Sequence, residues 1–179
     1  GYHAAKPKRM QDIYDFYLSK NKFNVLNMLN VKYIVDLNEN NSLGLRLNEE
    51  NLGNAWFIEN IINVNNSNEE ILSLNDLNYS KDCLSKDLPN KKFTLSETDN
   101  IVLTSRKSNE LIYNYTAKTE SFIVFSEAYY LKGWQAYIDG QKVDHYKINY
   151  LLRGMEVPKG DHEIKFIFKP GIIKTGSII

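Results

Sequence analysis

After Pro89 the chain breaks into eight strand-like runs separated by short polar turns, at 93–97, 100–106, 110–117, 121–128, 133–139, 141–146, 150–157 and 161–169. Runs recurring roughly every ten residues specify an antiparallel sandwich or barrel, because each half-apolar strand needs a facing sheet to cover it. Two of the turns are fixed by residue type. Asp139-Gly140 suits a two-residue hairpin turn with positive φ at both positions, and Pro158-Lys159-Gly160 suits a tight turn before the last strand.

The first half reads differently. Pro7 suits a first helical turn, and Met10, Ile13, Tyr14 and Tyr17 then recur at helical spacing, with Phe16 widening the stripe, so a helix is expected over 7–20. A shorter helix over 23–30 stops at Asn30. The run at 32–37 predicts a strand, residues 38–42 a loop, and the alternation of Leu43, Leu45 and Leu47 a half-buried strand. Residues 55–64 read as one strand, and Ser67 three residues before Glu70 reads as a capping box opening a short helix. A further short strand is expected about Cys83. The fold class is therefore α+β, with a mixed α/β part at 1–89, an antiparallel jelly-roll-like β-sandwich at 90–170, and 171–179 as the lead-in to a membrane helix.

Composition narrows the function by exclusion. Lysine plus arginine and aspartate plus glutamate are both 22, so no basic field exists to hold a phosphate backbone and nucleic acid is excluded as a partner. The lone Cys83 cannot form an internal disulfide, and the fold must stand on packing. Nothing in the chain supplies a nucleophile, a metal cage or a phosphate loop, so no catalytic residue, metal or cofactor is expected.

The densest aromatic surface lies in 126–143, where Tyr129, Tyr130 and Trp134 are the candidate ligand-binding residues, aromatic faces being suited to the C–H faces of a sugar ring. Alternation puts Trp134 on one face with Ala136 and Ile138, which favours its burial, and of the adjacent Tyr129 and Tyr130 at most one points inward. Asp144-His145 and Asp161-His162 are acid–histidine pairs without a third ligand, and Glu127 with Asp139 is a carboxylate pair of the kind glycoside hydrolysis uses. Surface charge is the reading preferred for both. His3, Lys6 and Lys8 offer an anion a basic cluster, and Arg153, sharing strand parity with Met155, is expected inside with a carboxylate partner.

Several segments taken together carry a resemblance: 1–6 (GYHAAK), 27–33 (NMLNVKY), 52–57 (LGNAWF), the 126–143 run, 149–153 (NYLLR) and 157–160 (VPKG). In this order and spacing they resemble the C-terminal extracytoplasmic part of the YfhO family of bacterial polytopic membrane proteins. The family looks like membrane glycosyltransferases that use lipid-linked sugars to decorate cell-envelope polymers. The resemblance implies a noncatalytic domain on the extracytoplasmic face of the cell membrane, cut at both ends from a longer protein, with its own membrane-embedded domain and a glycan or envelope polymer as partners. The alternative is a free-standing carbohydrate-binding β-sandwich module.

Overall fold

The computed structural model describes residues 7–37 and 42–170. Helix α1 (Lys8–Phe16) follows Pro7 and buries Ile13, with Tyr17 beyond its end completing the buried stripe. It is shorter than the apolar spacing suggests: a 3-10 turn at Leu18–Lys20 takes over, closed by Asn21 at φ 57. Helix α2 (Val25–Met28) buries Val25 and Met28, and Asn30 stops it at φ 56, a left-handed conformation that asparagine tolerates better than most residues.

Strands β1 (Tyr33–Leu37) and β2 (Leu43–Leu47) pair antiparallel as a separate two-stranded ribbon. Here the expected half-burial fails, because Leu43 is 77 % and Leu45 70 % exposed. Alternation sorts side chains onto a face but cannot supply the partner that covers it. Asn48 fixes the base of the ribbon, its backbone N–H donating to Lys32 O (2.8 Å) and its side-chain amide to Asn27 Oδ1 and Val31 O.

The run 55–64 is two strands, β3 (Ala55–Ile58) and β4 (Asn60–Asn63), which belong to different sheets. Glu59 is the corner, its N–H donating to Lys81 O and its carbonyl accepting from Phe93 N. Helix α3 (Ser67–Ser73) starts one residue earlier than the capping-box reading, since Asn66 is the cap and its side chain accepts from Asn68 N and Glu69 N. Glu69 reaches back to Asn65 N, which frees Glu70 for the interior. Strand β5 (Asp82–Ser85) runs parallel to β4, and β6 (Lys91–Lys92) pairs with the other edge of β4. No strand forms at 93–97, where one was expected; the pairing residues are the two before it, and Phe93 is buried just after them.

The remaining strands are β7 (Asn100–Lys107), β8 (Glu110–Ala117), β9 (Ser121–Ala128), β10 (Trp134–Ile138), β11 (Gln141–Val143), β12 (Tyr146–Ile148), β13 (Leu152–Val157) and β14 (Gly160–Phe168). They build an antiparallel five-stranded sheet ordered β11-β10-β14-β8-β7 and, with β3, an antiparallel four-stranded sheet ordered β12-β13-β9-β3. The two sheets enclose one core, in which Phe57, Tyr113, Phe125, Met155, Ile164 and Phe166 pack together. At the β10–β11 turn Asp139 and Gly140 take φ 47 and 81, the positive pair its Asp-Gly sequence calls for.

The first half is not a separate layer beside this sandwich. β3 pairs with β9, and β6 returns past Pro89 to pair with β4, so pairing crosses the Pro89-Asn90 position in both directions. Strand β9 is consequently buried on both faces. Ile123 and Phe125 point between the sheets, while Phe122 and Val124 point into a second core shared with Ile13, Met28, Ile58 and Leu152. Beside this second core lies a buried ion pair, Glu70 Oε2 to Lys147 Nζ at 2.6 Å, with Glu70 fully buried and its Oε1 accepting from Tyr150 N.

Candidate functional site

The geometry of interest begins with an irregularity in β9. Leu152 faces Ala128 but Arg153 faces Phe125, so Ser126 and Glu127 bulge out with no counterpart on β13. Bulges of this kind re-aim side chains at the rims of sheets. Ser126 Oγ turns towards the first half, donating to Met28 O (2.7 Å) and Gly53 O (2.9 Å), while Glu127 turns outward and pairs with Arg106.

Glu127, Arg106, Lys107, Ser108, Leu111 and Trp134 line a notch of about 360 Å³ at this end of the sandwich. Trp134 is the first residue of β10 and faces the inter-sheet core with Ala136 and Ile138, as alternation predicts, but at the strand's end it is only half-buried. Its indole therefore has one side in the core and a remainder available to the notch. Phe168 packs on it (5.3 Å between ring centroids), and the half-exposed Tyr130 stacks on Phe168 at 6.4 Å and 27°. Gly133 makes this cluster possible, since a Cβ there would lie 2.1 Å from Phe168 Cε2 and 2.8 Å from Tyr130 Cδ1. Tyr129 turns the other way, onto the ring of His145. Of the three aromatic candidates, Trp134 and Tyr130 are brought together and Tyr129 is not.

Arg153 lies behind the indole. The residue is 1 % exposed, and its guanidinium sits 4.7 Å from the Trp134 ring centroid and 4.8 Å from that of Phe166. The carboxylate partner expected for it is absent among the described residues: Nη2 donates to Ala128 O at 3.1 Å, and Nε and Nη1 have no partner. Burial pulls its pKa down to about 10. Tyr113 Oη and His145 Nε2, also buried without partners, stand in the same part of the core.

Burial, and next the charge of Arg153, pull the His145 pKa down to about 4. Its neutral form is thus favoured by folding, and the stability this confers is complete above the ordinary value near 6.5 and lost as pH falls through about 4. His162 shifts the opposite way: the Asp139 carboxylate, 2.5 Å from its Nδ1, raises it. In a histidine titration followed by NMR, His145 is expected to titrate near pH 4 and His162 above its ordinary value; equal titration of both near 6.5 would contradict the geometry.

The other sequence-level candidates are dispersed. Asp139 and Glu127 do not face each other, because Trp134 shares the notch with Glu127 while Asp139 lies five residues along β10, roughly 16 Å at the rise of a strand. Asp161 bonds to Thr116 and His162 to Asp139, and among the described residues no three His, Cys, Asp or Glu side chains are grouped to hold a metal. His3 and Lys6 lie outside the described residues, and Lys8 is exposed on α1. Arg106, Lys107, Ser108 and Leu111 were not legible as notch residues, since the bulge that turns Glu127 towards them leaves no signal in the local sequence.

A family model described as bacterial membrane protein YfhO matches residues 58–179, more than half of the chain and all of the notch. The chain belongs to the YfhO family. The match covers every strand of the sandwich except β3, whose last residue it only touches. No curated protein and no solved structure matches the chain. YfhO proteins being membrane proteins, the chain is part of that class, although among the described residues no helix is long and apolar enough to cross a membrane.

Proposed function

We propose that this YfhO chain is a noncatalytic, extracytoplasmic domain of a polytopic membrane protein that transfers sugars from lipid carriers, and that it shapes glycan or acceptor access in cell-envelope polymer glycosylation. The observation that carries the reading is the notch, where a half-buried indole meets a carboxylate, a guanidinium, an ammonium and a hydroxyl. A pyranose ring presents that combination in reverse, with an apolar C–H face and a rim of hydroxyls. Glu127 is the carboxylate among the lining residues, and it is engaged by Arg106, which favours holding a sugar over cleaving one. The Tyr130–Phe168 stack extends the aromatic surface beyond the notch.

The test is a glycan array probed with the purified chain, using envelope-type oligosaccharides. Binding is expected, with Trp134→Ala weakening it about tenfold or more while far-UV circular dichroism stays unchanged, as for removal of one aromatic anchor. Binding indifferent to both Trp134→Ala and Tyr130→Ala would overturn the site. The alternative, a free-standing carbohydrate-binding module, gives the same array result. It is separated by the open reading frame, which must encode several membrane spans before this domain if the first reading is right.

A further inference from the structure

We infer that the apolar face of the β1–β2 ribbon rests on the surface of an anionic phospholipid bilayer. The register sets Tyr33 opposite Leu47, Val35 opposite Leu45 and Leu37 opposite Leu43, which gathers all six side chains on one face. All six are exposed, and among the described residues neither strand pairs with any strand but the other. A face of this kind in water is costly and marks a contact surface.

Two further features identify the occupant. The exposed apolar side chains are concentrated: of the fifteen large ones among the described residues, ten lie between Met10 and Leu47, six on the ribbon and four on or just after α1. Charge is concentrated in the same segment. Residues 1–47 hold seven Lys and Arg against four Asp and Glu, a net of +3 in a chain whose total is zero. A segment that carries an exposed apolar face and a net positive charge complements anionic lipid, where leucines enter the headgroup–acyl boundary and basic groups stay among the phosphates. Lys32, lying over the Tyr33 ring at 5.7 Å, is placed to do so. A second copy of the same face would bring these cations together, and membership in a membrane-protein family puts a bilayer within reach.

The depth of contact is limited by the backbone. Among the described residues each strand has one edge unpaired, and unpaired amides cannot be taken into hydrocarbon, so the ribbon lies flat in the interface and does not cross it. Asn48 holds that orientation relative to α2, through Asn27.

The inference rests on the membrane-protein assignment and not on the notch, and its test contains no glycan. The chain is floated with vesicles of phosphatidylcholine alone and with vesicles carrying phosphatidylglycerol, as wild type, as the Leu43→Ser/Leu45→Ser double variant and as Lys32→Glu. Both leucines are exposed, so circular dichroism and thermal unfolding are expected to match wild type in the double variant. Wild type is expected to float with the anionic vesicles, the double variant to lose about tenfold or more of that binding, and Lys32→Glu to narrow the preference for anionic lipid. Wild type failing to float, or floating equally with both leucines replaced, overturns the proposal. Self-association of wild type in sedimentation, abolished in the double variant and without vesicle binding, also overturns it and assigns the face to a second copy.

Discussion

Glu70→Ala is expected to destabilise the protein by about 3–5 kcal/mol, the cost of leaving one member of a buried ion pair without the other. Glu70 is fully buried, and its two oxygens serve Lys147 Nζ and the Tyr150 backbone N–H. The second contact matters because Tyr150 sits at φ 67, next to Asn149 at φ 47, so the turn between β12 and β13 is held in a left-handed conformation that a tyrosine adopts only when its surroundings insist. Burial already lowers the Lys147 pKa despite the carboxylate beside it, and removing that carboxylate leaves the ammonium with desolvation alone. Urea unfolding monitored by fluorescence checks the value. The double variant Glu70→Met/Lys147→Met is expected to regain most of the loss, because the two apolar groups no longer require each other. A single variant within about 1 kcal/mol of wild type would show that the pair is not formed.

Arg153→Met has the opposite expected sign, a gain of about 1–3 kcal/mol. Ordinarily an arginine this deep is held by a carboxylate, and its removal is costly. This one has a single hydrogen bond and two aromatic faces, against the desolvation that pulls its pKa down to about 10. A shift of that size corresponds to about 3 kcal/mol against the charged form, and cation–π contacts return part of it. The same substitution removes the group behind Trp134, so the more stable variant is expected to bind glycan more weakly on the array described above. Loss of more than about 1 kcal/mol on Arg153→Met would refute the claim that the charge is retained at a cost to the fold.

How much of this was visible beforehand differs from element to element. The limits of β8 follow from alternation, those of β9 from its continuous apolar run, and both from the polar residues between them, while the Asp139-Gly140 turn follows from the one conformation that pair suits best. The break at Glu59 leaves no comparable mark, since Trp56, Ile58 and Ile61 are apolar on either side of it and periodicity does not say to which sheet a residue belongs. The cap of α3 was misplaced by one residue because Asn66 and Ser67 are both good caps, and tertiary burial of Glu70 decided between them.

At the site, parity placed Arg153 inside correctly but could not say what it would meet. Trp134 shows the complementary gap: its face was readable and its depth was not, because depth depends on its place at the end of β10. The leucines of β2 carry the same lesson further, for their alternation is as regular as that of any buried strand.

The bulge in β9 has a mechanical meaning. Ser126 is tied to Met28 and Gly53, in the part of the chain that carries the ribbon, and Glu127 lines the notch, so the two outward surfaces of the molecule are joined across one peptide bond. That bond lies in the bulge, directly after the stretch of β9 that is buried on both faces. The segment that carries the ribbon and the side of the notch therefore share one strand, β9, as their common support.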